Sequence, residues 1–479
     1  METKFDYVYR NLKEKIISGV IQKGNHLSSS RKLCDEFQVS IYTINNVLSK
    51  LKEEGLIVIE PRKTPKVIYN TNKNNTLTKK ILSHRDILLQ IYETMSLILP
   101  AILTFSAKGL DSINLLPNYI QIEKIKKRAL PPEEWRIISN IYLDILKHSG
   151  NPLFSDLYNN FELHSYLSFF AEEQKTYTGI CIRDNIPDIK HLATALNLRD
   201  SYKRNEDFKQ IYNEVYSIIK YSLKKLEQTT NDMPEQTGSF SWDIRRGKDF
   251  RYRQITQDLI DKIGRGIYPH NTFLPSEAIL AKEYNASVST IRKALLVLNK
   301  IKFTKTINGK GTLVLTPNEL YIYEANKNPV EKRNSLLYLY ALQLMILIIG
   351  VSSKRAAKMF TDEEINILTD KAKDVDNISF DNILNEIINK TDLKPLKEIL
   401  IQTNKVIEWG YYLSLYNNKT QSICKLNKKS LQACYYLKKK DYDSFAFEME
   451  DCFRLILKAV RKYMIEINNI KEAEGILIP

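Results

Sequence analysis

The sequence predicts a mainly α-helical chain. Two winged helix-turn-helix domains, each with a small β-wing, alternate with two all-α helical bundle domains. Three observations predict this. Residues 27–51 have the spacing of two short helices joined by a tight turn, and the same pattern returns without a gap 247 residues later, at 274–298. Short alternating runs of the kind that form strands follow both copies. Elsewhere apolar residues recur at helical spacing and strand alternation is missing. A chain of 479 residues that matches itself at about half its length reads as a tandem duplication of three or four domains in total.

The first winged domain covers 1–70. It opens with an amphipathic helix over 1–20, with Phe5, Val8, Leu12 and Ile16 on one face and Gly19 as its end. Ser29 is placed to cap the next helix, on which Leu33 and Phe37 fall four apart. Gln38-Val39 forms the turn and Ser40 caps the following helix. On that helix Ile44, Val47, Leu48 and Leu51 make a dry back. Tyr42, Thr43, Asn45 and Asn46 make a front of hydrogen-bonding groups near the N-terminus, an arrangement that suits the major groove of double-stranded DNA. Gly55 ends the helix. Ile57-Val58-Ile59 and Val67-Ile68-Tyr69 then alternate into a wing with a basic tip at 60–66, and 70–75 is a polar connection.

The first bundle spans 77–228. Helical stretches are predicted over 79–108, 111–128, 132–149, 152–170, 173–199 and 205–228, broken at Gly109, Pro131-Pro132, Gly150-Asn151-Pro152 and Pro187. Residues 229–247, low in aliphatic side chains, read as a linker. The second winged domain, 248–316, sets Leu274 on Leu27, Ser276 on Ser29, Leu280 on Leu33, Ser287 on Ser40, Thr290 on Thr43, Ile291 on Ile44 and Leu298 on Leu51. The second bundle, 331–470, has expected breaks near Gly350, Lys394-Pro395 and Asn417-Asn418, and 474–479 reads as a loosely held tail. The longest apolar run, 336–349, is interrupted by Gln343 and falls short of the ~18 residues a bilayer requires, so it reads as a buried helix. The start of the chain lacks the pattern of a secretory leader. The expectation is a soluble, cytoplasmic protein with no membrane partner.

Composition narrows the partners. The 71 Lys and Arg against 56 Asp and Glu leave a formal charge of +15, of which residues 1–70 hold +4 and residues 248–316 hold +7. A basic balance concentrated in two small segments suits a polyanion. Five cysteines without a Cys-x-x-Cys pair read as small buried hydrophobes. The chain has no Walker loop, Gly-x-Ser-x-Gly, Cys/His pairing or dinucleotide fingerprint after a strand, so no enzyme and no cofactor is expected.

Both repeated stretches resemble the winged helix-turn-helix of GntR-type bacterial transcription regulators. That family reads Gly-x-(Leu/Ile)-x-x-Gly-x-x-Leu-Pro-Ser-Glu-Arg, then Val-Ser-Arg-x-Thr-Val-Arg-x-Ala-Leu, then a Gly-x-Gly-Thr wing. The first copy offers Gly19 to Gly24, Leu27-Ser28-Ser29-Ser30-Arg31 and Val39-Ser40-Ile41-Tyr42-Thr43-Ile44. The second offers Gly266, Leu274-Pro275-Ser276-Glu277, Ser287 to Leu295 and the wing Gly309-Lys310-Gly311-Thr312. The resemblance implies a sequence-specific regulator that touches DNA through Arg31, Ser40, Tyr42, Thr43, Asn45, Asn46, Arg62 and Lys63 in the first copy. In the second it implies Ser276, Ser287, Ser289, Thr290, Arg292, Lys293, Lys310 and Gly311. The copies differ at informative positions. Arg31 faces Ala278 in the alignment, and Arg292 faces Asn45. Arginine can grip guanine and asparagine adenine through two bonds, so the copies should read different half-sites. Pro61 and Pro65 lock the first wing, which limits Arg62 and Lys63 to phosphate, whereas Lys310 between two glycines can approach a minor groove.

The helical parts resemble the effector-binding and dimerisation domain of the fatty-acid-regulator subtype, through Leu146 to Leu153 with its Gly-Asn-Pro break, Arg199-Asp200, Asn205 to Phe208 and Lys440 to Tyr442. Members of that subtype hold a divalent metal through an Asp and three histidines. Here Ile138 stands at the Asp position and Tyr142 at the first histidine. The second half has no histidine beyond His270, and His84, His148, His164 and His191 match no ligand spacing, so no metal is expected. The subtype's carboxylate-gripping Arg would fall near Met95 and Gln343, both uncharged. An effector pocket would be apolar and aromatic, from Tyr92, Phe105, Tyr142, Phe161, Tyr166 and Phe169, which serve equally well as plain core. The reading that follows is a covalent pseudo-dimer on an operator, with a small-molecule effector and further homodimerisation left open. A non-specific architectural DNA-binding protein, or a sensor with one degenerate reader, are the alternatives.

Overall fold

The structure is a computed structural model and describes residues 4–17, 21, 23–37, 39–61, 63–69, 76–110, 131–165, 195–228, 230, 233–244, 251–264, 266–300, 303–315, 329–373, 379–415, 419–466 and 469–479. The chain divides into two compact units, Met1–Lys248 and Asp249–Pro479.

In the first unit, helices α1 (Lys4–Ile17), α2 (Ser30–Phe37) and α3 (Ile41–Glu53) are followed by an antiparallel wing of β1 (Ile57–Val58) and β2 (Lys66–Val67). The three helices share one core, in which Val8, Leu12, Ile16, Leu33, Phe37, Ile44, Val47, Leu51 and Val67 are buried. The wing pairs Ile57 with Val67 and Val58 with Lys66, so it is shorter than the alternation suggested. Ile68 and Tyr69 both donate their N–H to the Leu56 carbonyl instead, which leaves the two side chains outside.

The bundle of this unit contains α4 (Thr76–Ser83), α5 (Arg85–Ser106), α6 (Pro131–His148), α7 (Pro152–Ser165) and α8 (Ser201–Gln228). The sequence predicts one helix over 79–108, but the chain breaks at His84, which adopts φ −110° and ψ 7°. The break is capped from a distance. Thr237 N–H donates to the Ser83 carbonyl at 2.9 Å, and the Gln236 amide accepts from Asp86 N–H and donates to the Leu82 carbonyl. No local pattern in 79–108 could reveal partners 150 residues away. The stretch expected helical over 111–128, most of that over 173–199, and the Pro187 break lie outside the described residues.

The second unit repeats the winged module as α9 (Arg251–Gly264), α10 (Glu277–Glu283), α11 (Val288–Lys300), β3 (Thr304–Ile307) and β4 (Gly311–Val314), with Thr304 opposite Val314. Its bundle is built from α12 (Pro329–Ala357), α13 (Asp362–Lys373), α14 (Ser379–Lys390), α15 (Lys394–Leu415), α16 (Lys419–Lys438) and α17 (Tyr442–Glu466). Gly350 does not break α12, contrary to expectation. It lies where a Cβ would collide with the Glu450 carboxylate, so its small size serves the close approach of α12 and α17 rather than a bend. The Asn417-Asn418 break lies outside the described residues.

The tail, expected to be loosely held, is docked. Ile470, Ala473 and Ile476 are buried, Gln343 Nε2 donates to the Leu477 carbonyl at 2.7 Å, and Arg454 and Arg461 donate to the carbonyls of Pro479, Ala473 and Glu474. Helices α5 and α12 have the length and apolarity to cross a bilayer, but 72% of each apolar window is buried within its own unit, as in the central helix of a packed bundle.

Candidate nucleic-acid interface

Each winged module presents its third helix in the same way. In the first, Ser40 Oγ accepts from Thr43 N–H at 3.1 Å and pairs with the Thr43 hydroxyl at 2.9 Å, which fixes where α3 begins. Ile44 and Val47 are wholly buried behind it, while Tyr42 is 73% exposed and Asn45 and Asn46 face solvent. In the second module Ser287 Oγ accepts from Thr290 N–H at 3.2 Å and pairs with Ser289 at 2.9 Å and Thr290 at 2.8 Å. Ile291 is wholly buried, whereas Arg292 and Lys293 are exposed. Ser276 caps α10 through Ile279 N–H, as Ser29 caps α2 through Lys32 N–H.

The modules differ in how these faces are charged. Arg292 Nε donates to Glu277 Oε2 at 2.7 Å, which holds the guanidinium over the start of α10. The matching residues of the first module are Asn45 and Ser30, so both members of the pair are exchanged together. The sequence reading passed over Glu277. The repeat itself carried the signal, because a position that alternates in step with Arg292 points to a contact. Arg31 is exposed on α2, with Ala278 at its counterpart. At the second wing Gly309 and Gly311 take φ of 76° and 118°, values that favour glycine, and they leave Lys310 exposed at the tip. Lys305, which the sequence reading did not select, is exposed on the adjoining strand. At the first wing Lys63 is tied to Glu60 Oε2 at 2.7 Å, and Arg62 lies outside the described residues.

Paired charges brace the back of each module. Lys13 bridges Glu54 at 2.8 Å and donates to Tyr9, over whose ring Lys50 sits at 4.2 Å. In the second module Lys262 bridges Glu283 at 2.6 Å and Asp258 at 3.0 Å. Burial opposes that ammonium's charge, but hydrogen bonds to Glu283, Tyr284 and Asp258 outweigh it and raise its pKa.

The bundle residues weighed as effector or metal positions are mostly core. Tyr142 packs on Tyr158 at 5.9 Å and Tyr212 at 6.1 Å, and burial pushes all three phenols up. Tyr92 donates to the Ser165 carbonyl, and Met95, Phe105 and Phe161 are buried. Tyr166, Phe169 and His191 lie outside the described residues. Among the described residues no group of three or more His, Cys, Asp or Glu is placed to hold a metal ion.

His164 is the exception to this bland picture. Burial first, then Arg10 and His84, lower its pKa to about 4, and its ring lies 5.4 Å from that of Phe240. The folded state therefore binds fewer protons than the unfolded chain between pH 6.5 and about 4, and stability falls as the pH drops through that window. Against a His164→Gln variant, the wild type should lose about 2 kcal/mol more on going from pH 7 to pH 5. Urea melts of both proteins at the two pH values read this difference, and equal losses contradict it.

A three-helix module that caps and bares the front of its last helix, and follows it with a two-stranded wing, defines a winged helix-turn-helix DNA-binding protein, here in two copies. The family model "Bacterial regulatory proteins, gntR family" matches residues 5–67 and again 251–314. The two winged modules are thus gntR-family helix-turn-helix domains, and the two matches in one chain support a tandem duplication. The chain is similar to the uncharacterized HTH-type transcriptional regulator YurK of Bacillus subtilis (strain 168), at 39% identity over 66 residues. That match spans 14% of this chain and 27% of YurK. Among solved structures, Streptococcus agalactiae GntR aligns over 43% of this chain and 99% of its own, at 16% identity and a TM-score of 0.19. E. coli McbR/YncC aligns over 48% and 100%, at 15% identity and a TM-score of 0.25.

Proposed function

We propose that this chain is a sequence-specific, cytoplasmic transcription regulator in which two readers in one polypeptide act as a covalent pseudo-dimer on double-stranded operator DNA. One observation carries the reading: α3 and α11 are capped and backed alike but present different groove faces, Tyr42-Thr43-Asn45-Asn46 against Ser289-Thr290-Arg292-Lys293. Homodimeric readers on a palindrome have no use for that difference, whereas an asymmetric operator does. Arg31, Ser40, Ser276, Ser287 and Lys63 would fix the register on phosphates, with Arg62 in the same role. Lys310 and Gly311 would approach the minor groove. The chain works by binding rather than catalysis. A small effector held in either bundle would act only through its different affinity for two arrangements of the readers.

Selection from a random duplex pool, followed by titration of the selected and scrambled duplexes at several salt concentrations, tests the reading. The expected outcome is two unlike half-sites and a specificity ratio of at least ~10³. A ratio near one at every salt concentration makes the protein architectural instead.

A further inference from the structure

Residues 233–244 have a linker's composition, yet they lie on the first bundle as an extended strap. Gln236 and Thr237 complete the backbone groups left open where α4 breaks from α5. Gly238 passes so close to that break that a Cβ would collide with Ile87 and lie 3.0 Å from the His84 Cα. Phe240 stacks on Phe161 of α7 at 5.7 Å. Trp242, 2% exposed, donates its indole N–H to Asp156 Oδ2 at 3.1 Å. These contacts run over three helices and use a glycine where only a glycine fits.

We propose that this strap sets the covalent reach between the first unit and the second reader, and so the spacing of half-sites that the protein tolerates. The inference rests on the two-reader reading above. With the strap docked, only residues 245–250 separate Ile244 from the start of α9 at Arg251, and seven Cα steps reach at most about 25 Å. With the strap released, the chain from Gln228 to Arg251 has twenty-three steps and a reach of about 80 Å. Docking shortens the reach by about 55 Å, more than one turn of DNA at about 34 Å. Docking therefore turns a permissive tether into a restrictive one. The same α7 also packs against α1 of the first reader, and its His164, whose ring lies 5.4 Å from that of Phe240, feels the charge of Arg10. The strap and the first reader thus rest on one helix.

Three full-length variants test this beside the wild type. Gly238→Ala and Trp242→Ala loosen the strap, and a ten-residue Gly/Ser insertion between Gly247 and Lys248 lengthens the tether without touching it. Chymotryptic cleavage after Phe240 and Trp242 reports docking, and selection from a random duplex pool reports the spacing of half-sites. The wild type should resist cleavage and select one narrow spacing. The strap variants should be cut faster, and all three should accept spacings spread over at least half a turn, about 5 base pairs. Two half-sites whose spacing stays as narrow in the variants overturn the inference alone, as does a wild type cut as fast as Trp242→Ala. A wild type that selects a single half-site overturns the two-reader reading and this inference with it.

Discussion

Arg292→Ala is expected to weaken binding to the selected duplex by about 10- to 100-fold, with the melting temperature unchanged. The side chain is exposed and packs into no core, so its loss leaves α11 standing on Ile291, Leu295 and Leu298. What disappears is a guanidinium able to make two bonds to one guanine, together with the discrimination at that base pair. Glu277→Ala should cost far less, about 2- to 5-fold, because an exposed ion pair contributes no more than about 1 kcal/mol and Arg292 itself remains. The paired change Asn45→Ala with Asn46→Ala gives the decisive contrast. If both readers work, it too weakens binding by about tenfold or more and relaxes the other half-site. If only Arg292→Ala matters, the first module is not a reader, and the sensor with one degenerate copy becomes the better description.

The modules were legible because their signals are local or repeated. Ser40 before Ile44, Val47 and Leu51 is a cap followed by a helical face, and its return at Ser287 leaves little room for chance. What escaped the sequence depends on contacts far along the chain. The His84 break is completed by Gln236 and Thr237, about 150 residues later, so 79–108 looks like one uninterrupted amphipathic run. Gly350 looked like a punctuation mark because glycine ends helices more often than it fills them. Here the Glu450 carboxylate, 100 residues away, needs the room. The tail looked like unpacked chain because it ends the sequence, and the stretch 233–244 because it is low in aliphatic residues. Both follow the last long helix of a bundle, and both fold back onto that bundle.

The face of α3 or α11 can read a groove only while its back is held, which makes the buried isoleucines the sharpest lever on each reader separately. Ile44→Ala and Ile291→Ala each remove a wholly buried branched side chain at the centre of a three-helix core and should cost about 2–4 kcal/mol. A module of this size has little stability to spare, so either change should loosen its recognition helix and silence that reader. The two variants should nonetheless differ in what remains. Ile291→Ala disables the module of charge +7 and leaves the module of charge +4, so its residual binding should have the shallower dependence on salt. Ile44→Ala should leave the steeper one. Footprinting shows which half-site each variant still protects, and titration at several salt concentrations gives the slopes. Protection of both half-sites by both variants, with equal slopes, would mean that the capped and backed helices are not what grips the DNA.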